Sequence, residues 1–86
     1  MNFSLTQGFQ KKAQKLCKKD IQLRHALAKQ FFLFQENHQH PSIKLHKLKG
    51  KRSEQYAIWI IGDLRALGIK QDEEYVFFDL VTHDRY

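Results

Sequence analysis

The sequence predicts an α+β fold in which two N-terminal helices pack on a small, mainly antiparallel sheet of three or four strands. Two segments within the first 36 residues place apolar side chains three and four positions apart, as amphipathic helices do. After Pro41 the pattern changes to short apolar or alternating segments separated by polar turns, which is typical of a β-meander. We expect a single domain that spans residues 1–86.

The helical half of the chain begins after MNFSL, a weakly alternating segment that can form a short first strand. Thr6 and Asp20 are placed to cap the two helices, because short oxygen-bearing side chains accept hydrogen bonds from free helical N–H groups. The first helix has one apolar face, formed by Phe9, Ala13, Leu16 and Cys17. The second has a broader one, formed by Leu23, Leu27, Phe31 and Phe34.

Four segments in the second half read as strands joined by turns: residues 42–48, 55–61, 64–69 and 75–81. The first alternates, with Ile43 and Leu45 on one face and Lys44, His46 and Leu48 on the other. The second, QYAIWII, is apolar on both faces, as a central strand is. We expect Trp59 within it to be a packing residue.

Positive charge is concentrated in the first 52 residues, which carry twelve Lys and Arg against Asp20 and Glu36, a net charge of +10. The remaining residues carry three Lys and Arg against seven Asp and Glu, a net charge of −4. This asymmetry predicts a basic surface that contacts a polyanion such as nucleic acid. The single cysteine excludes a disulfide framework within the chain. With no bilayer-length apolar run and no signal-peptide core, we expect a cytoplasmic protein.

Three places in the sequence carry side chains suited to phosphodiester chemistry. His46 stands among Lys44, Lys47, Lys49, Lys51 and Arg52. Asp63 and Arg65 follow the central strand, and Arg65 could also pair with Asp63 or Asp79. The third place is the terminus, which holds His83 and Tyr86. Neighbouring strands of a meander could bring His46, Arg65 and His83 to one sheet face.

These residue types can cut RNA without a metal ion. The 2′-hydroxyl attacks the adjacent phosphorus, so the reaction needs a base, an acid for the 5′-oxygen and cations at the charged phosphorane. Histidine titrates near neutral pH and arginine binds phosphate through a planar fork. We considered a metal site formed by His38, His40 and His46, but carboxylate and thiolate partners are not close in sequence. We therefore expect no metal and no cofactor.

The motifs HPSIKLHKLKG, YAIWIIGDLRAL and VFFDLVTHDRY, in this order, resemble those of the RelE/ParE superfamily of bacterial toxins, and the YafQ-like branch most. The resemblance runs from about residue 3 to residue 86. It implies two helices against a small antiparallel sheet. It also implies a type II toxin that cuts mRNA in the ribosomal A site without a metal and is neutralised by a cognate antitoxin.

The resemblance also implies roles for individual residues. His46, Asp63 and His83 match positions associated with the active site, and Arg65 matches an arginine that stabilises the phosphate. The side chains expected to contact RNA are Lys44, Lys47, Lys49, Lys51, Arg52 and Tyr86. Asp79 stands where the branch often has an arginine, and the central strand has no histidine.

Two other functions stay open from the sequence. ParE-type members of the same superfamily poison DNA gyrase and do not cut RNA. The departures from the motif also leave room for a decayed toxin that only binds its antitoxin. Fold resemblance does not separate these, because function depends on the site.

Overall fold

The computed structural model describes residues 1–82, and these form two helices on one face of a five-stranded sheet. The predicted α+β class is confirmed. The helices are α1 (Gln7–Cys17) and α2 (Ile21–Glu36). The strands are β1 (Asn2–Leu5), β2 (His46–Lys47), β3 (Gln55–Ile61), β4 (Leu64–Gln71) and β5 (Glu74–Thr82). Neither helix in this part of the chain is long and apolar enough to cross a membrane.

The sheet has the strand order β1-β5-β4-β3-β2. Strands β2 to β5 form the predicted antiparallel meander. The additional strand is β1, which pairs in parallel with residues 74–77 of β5 and raises the number of strands to five. Sequence alternation indicates that a segment is extended but not which strand it pairs with, so the count of three or four was too low.

Both helix caps follow the sequence prediction. The Thr6 hydroxyl accepts a hydrogen bond from the Phe9 N–H, and the Asp20 carboxylate accepts one from the Leu23 N–H. The predicted apolar face of α1 is wrong at Leu16, whose side chain is 40% exposed. Leu16 lines a surface cavity beside the end of β5 instead of joining the core.

Aromatic rings fill the centre of the core between the helices and the sheet. Phe34 of α2 and Phe77 of β5 are fully buried, with ring centroids 5.4 Å apart in an edge-to-face arrangement. Phe77 lies against Gly68 of β4, where an added Cβ would come within 2.8 Å of the ring. Glycine at this position therefore lets the phenyl ring lie directly on the neighbouring strand.

Buried Gln30 connects α2 to the strand that carries Trp59. Its amide nitrogen donates to the carbonyl oxygens of Ser42 at 3.1 Å and Trp59 at 2.9 Å. A buried amide without partners would be costly, so these bonds fix the loop after α2 against β3.

The segment between Pro41 and β3 is less regular than its alternation predicted. Strand β2 contains only His46 and Lys47, and Lys44 adopts a left-handed φ of 53°. The predicted faces are nevertheless confirmed, because Ile43 and Leu45 join the core under the helices while Leu48 packs on the other side of the sheet.

A partly buried histidine at the end of α2 makes stability depend on pH. The His38 ring lies against Phe34 and Tyr75, and burial lowers the pKa of His38, with smaller contributions from the N-terminal amine and Lys70. The unfolded chain, with a histidine pKa of about 6.5, then binds the proton more readily than the folded chain. Stability is therefore complete above this pH and falls as the pH drops through the folded-state pKa.

We expect the free energy of unfolding, measured by urea titration, to be lower at acidic pH than at pH values above about 7. In His38→Gln this decline should become smaller. His25→Gln, on an exposed part of α2, is the matched control and should keep the wild-type pH dependence. An unchanged decline in His38→Gln would show that other groups cause it.

Candidate functional site

His46 lies on the face of the sheet that the helices leave open. Ile58 and Ile60 of β3 belong to the core under the helices, so the alternating residue Ala57 points the other way. His46 pairs with Ala57 across β2 and β3 and therefore shares its face. The His46 side chain is exposed there, available to a ligand.

The backbone orients the His46 ring. Its Nδ1 lies 2.9 Å from the Lys44 carbonyl oxygen, which can only accept, so Nδ1 carries the hydrogen. The left-handed backbone at Lys44 belongs to the same turn. In the neutral ring Nε2 then has a lone pair, and this geometry suits His46 to accept a proton.

Arg65 of β4 lies on the same open face, paired with Trp59 of β3. Its Nη1 donates to the carbonyl oxygens of Gly62 at 3.2 Å and Leu64 at 3.3 Å. The Trp59 indole N–H donates to the same Gly62 oxygen at 2.8 Å. Gly62 has a φ of 56°, a left-handed conformation that glycine adopts without strain. The hairpin backbone thus positions the guanidinium, and Nε and Nη2 take no part in these bonds.

Trp59 is half-buried, and the Lys44 ammonium lies 5.4 Å from the centroid of its ring. This is a cation–π contact. The sequence assigned Trp59 to packing and Lys44 to RNA contact; the structure places the two together on the open face.

The two acidic residues near Arg65 do not pair with it within the described part of the chain. Asp79 accepts a hydrogen bond from Lys12 of α1 at 2.9 Å. Asp63 lies in the exposed turn between β3 and β4. The ion pairs considered for Arg65 are therefore replaced by the backbone bonds of the hairpin.

Four predicted basic side chains converge on one cavity of about 310 Å³, which we call the basic groove. It is lined by His46, Lys47, Leu48, Lys49 and Arg52. Lys51 is exposed on the same 3₁₀ turn, Gly50–Arg52. Adjacent cations around an apolar floor form a surface of positive potential that attracts phosphate.

The connection from β2 to β3 lies across the open face. Leu48 is only 8% exposed and packs with Ala57 and Leu67, with Phe78 and Val81 of β5 against them. This small second cluster anchors the loop over three strands. The loop thereby places Arg52, which follows the edge strand β2 in sequence, near β5.

A larger cavity of about 590 Å³, the β5-edge cavity, lies where that loop meets the last strand. Lys12, Arg52, Asp79 and Thr82 contribute polar side chains to its lining. Strand β1 covers only residues 74–77 of β5, so beyond Phe77 this edge faces α1 instead of another strand. Arg52 lines both cavities, which makes them neighbours.

The remaining predicted site residues, His83 and Tyr86, lie outside the described residues. Thr82 is the last described position and lines the β5-edge cavity. Within residues 1–82 no group of three or more His, Cys, Asp or Glu side chains is placed to hold a metal ion.

Sequence reasoning missed Lys12 as a member of this surface. Lys12 belongs to a run of lysines in α1, and such a run by itself indicates only a solvated helix face. Its partner Asp79 is 67 positions away, so no local spacing could reveal the pair. Only the tertiary arrangement of α1 beside β5 brings it to the cavity.

Comparisons with known proteins identify the fold. No family model matches the sequence, and no curated protein matches it. A YoeB/ParE toxin from Agrobacterium tumefaciens has a similar solved structure, with a TM-score of 0.77 and 12% identity, over 96% of this chain and 99% of that one.

Two Escherichia coli structures are also similar. YafQ has a TM-score of 0.72 and 18% identity, over 96% of this chain and 93% of YafQ. A chain in the DinJ–YafQ toxin–antitoxin complex has a TM-score of 0.71 and 19% identity, with 96% and 92% covered. The chain therefore has the fold of the YoeB/ParE and YafQ toxins, as the resemblance to the RelE/ParE superfamily implied.

Proposed function

We propose that this chain is the toxin of a type II toxin–antitoxin module and that it cuts mRNA at the ribosomal A site. The observation that carries the proposal is the convergence of an oriented histidine and three other basic side chains on one groove beside Arg65. His46 of β2 and Arg65 of β4 flank β3 and stand opposite residues two positions apart on it, so their backbones are about 7 Å apart along the strand and roughly 10 Å apart across the sheet. The fold supports the coarser role of a toxin, and the site carries the proposal of mRNA cleavage.

In the proposed reaction His46 is the general base and His83 is the general acid. Nε2 of His46 takes the proton of the 2′-hydroxyl as its oxygen attacks phosphorus. The bond from phosphorus to the 5′-oxygen breaks, and His83 gives that oxygen a proton. The products are a 2′,3′-cyclic phosphate and a 5′-hydroxyl end. No metal, cofactor or outside reactant is needed, because the attacking oxygen belongs to the RNA.

Arg65 stabilises the phosphorane that forms between these two proton transfers. The hairpin carbonyls orient Nη1, which reduces the reorganisation that the guanidinium needs as charge develops. Such preorganised donors are often the largest contribution to catalysis. Lys47, Lys49 and Arg52 hold the flanking phosphates in the groove, with Lys51 beside them, and Tyr86 stacks on a base. We also assign Asp63, in the exposed hairpin turn, to the active site, because the resemblance places it at a position associated with that site.

An acidic antitoxin is the proposed protein partner. In the E. coli DinJ–YafQ complex a toxin of this fold is bound to an antitoxin, and the acidic character of the partner proposed here follows from the basic half of this chain. Here an apolar cavity of about 240 Å³, lined in part by Phe3, Phe9 and Phe31, opens beside the helices. Phe32 is 62% exposed on α2 nearby. A partly disordered partner would place apolar residues on this surface and extend an acidic segment around the sheet to the open face, where it would cover Arg65 and His83.

The test is induction from a tightly repressed promoter, with mRNA 5′ ends mapped by primer extension. Wild type should produce new in-frame cuts within translated regions, and His83→Ala should produce none. His25→Ala, an exposed histidine of α2, is the matched control and should cut as wild type does.

The other outcomes separate the remaining functions. Growth arrest with a DNA-damage response and no cuts would identify a gyrase poison. An absence of both arrest and cuts, with antitoxin binding retained, would identify a decayed toxin.

A further inference from the structure

The Lys12–Asp79 pair lies in a cavity that the proposed reaction does not yet use. The β5-edge cavity, about 590 Å³, falls within the size range of small-ligand sites, roughly 300–1,000 Å³. It adjoins the basic groove through Arg52. A strand of RNA in the groove would therefore meet this cavity next.

We propose that Lys12 and Arg52 form a second phosphate subsite in the β5-edge cavity, so that RNA leaves the basic groove and follows the edge of β5 to α1. This inference rests on the proposed function, because it extends the same RNA-binding surface. It adds a residue from α1 to a surface otherwise built from the sheet and its loop.

In the Lys12–Asp79 ion pair, an RNA phosphate can replace the Asp79 carboxylate as the partner of the ammonium. The side chains of Lys12 and Asp79 are 46% and 37% exposed, so water screens their attraction. Exposed pairs of this kind contribute little to stability. Asp79 also accepts from the backbone N–H of Leu80 and stays in place without Lys12. An RNA phosphate can therefore displace the carboxylate from the ammonium.

Asp79 acts in this arrangement as an internal competitor of the phosphate. Among residues 1–82, the lining of the cavity contains two cations, Lys12 and Arg52, and one carboxylate, Asp79. Removing the carboxylate leaves both cations for RNA. Removing the ammonium leaves Arg52 beside an unpaired carboxylate that repels phosphate. The two substitutions should thus change RNA affinity in opposite directions.

The experiment measures binding of a labelled, fully 2′-O-methylated RNA of about twelve nucleotides by fluorescence anisotropy at several salt concentrations. The methyl groups block the attacking hydroxyl, so binding is measured without cleavage. Lys12→Gln should weaken binding about fivefold at 0.1 M salt and lower the slope of log K against log salt by about 0.7. Asp79→Asn should tighten binding, and adding Lys12→Gln to it should remove that gain.

Lys11→Gln is the matched control, because it removes the same charge from an exposed position of α1 that does not line the cavity. It should change affinity by less than about twofold. Equal affinities and slopes for Lys12→Gln and Lys11→Gln would overturn the subsite.

Lys49→Gln in the basic groove separates this failure from failure of the proposed function. If Lys49→Gln weakens binding and Lys12→Gln does not, RNA binds in the basic groove as proposed and the subsite is wrong. If wild type binds no RNA, the subsite is wrong, and primer extension after induction still decides the proposed function. Thermal unfolding of each variant should match wild type closely, since none removes a buried contact.

Discussion

Replacing Arg65 with alanine should slow RNA cleavage on programmed ribosomes by about 10²–10³-fold, the usual cost of losing one preorganised donor at a developing anion. The fold should survive. Arg65 is only half-buried, and its bonds to the carbonyls of Gly62 and Leu64 are long, at 3.2 and 3.3 Å. The Gly62 oxygen keeps its shorter bond from Trp59 when the guanidinium is removed.

The measurement is a time course of primer-extension products with excess toxin, beside a thermal unfolding curve of each variant. Lys70→Ala removes a cation from the exposed far end of the same strand and should leave the rate unchanged. Arg65→Lys should fall between wild type and Arg65→Ala, because it keeps the charge but loses the planar fork. Wild-type rates in Arg65→Ala would remove this residue from the proposed mechanism.

Replacing Phe34 with alanine should lower the free energy of unfolding by about 3–5 kcal/mol. Its ring is fully buried and contacts the rings of Phe3, Tyr75 and Phe77 at centroid distances of 5.9, 5.2 and 5.4 Å. The substitution removes apolar burial and leaves a cavity among rigid neighbours. A domain of this size has only about 5–15 kcal/mol of stability, so the loss is a large part of it.

Phe32→Ala is a control on the same helix, with the same chemical change. Phe32 is 62% exposed, so its removal should change the unfolding free energy by less than about 0.5 kcal/mol. Urea titrations of both variants provide the comparison. Similar losses for the two would mean that the helix itself, and not the core contact, determines the effect.

Most elements of the fold were predictable because their signals are local. The caps at Thr6 and Asp20 depend on residues three positions away, and the apolar run of β3 marks its own bounds. The parallel pairing of β1 was not predictable, because it joins the first strand to the last described one. The exposure of Leu16 was missed for a similar reason: it depends on where α1 lies beside β5.

The candidate site divides in the same way. The basic groove was foreseen because its side chains come from one short segment, residues 46–52. Its orientation was not foreseen, since it depends on the left-handed backbone at Lys44 and on Leu48 packing across three strands. The ion pair of Lys12 with Asp79 needed the tertiary structure, whereas the position of Arg65 on the open face followed from the hairpin.

The position of β5 between β1 and β4 also determines when the fold can be completed during synthesis. The strand is made after all the other described elements, yet it supplies Tyr75, Phe77 and Leu80 to the core on which both helices rest. Until it is synthesised, β1 has no partner and the helices have an incomplete sheet to cover. Contacts this distant in sequence form late, because a long loop must close first. If the chain has the proposed function, this late completion keeps it unfolded, and therefore inactive, on the ribosome that makes it until β5 has emerged.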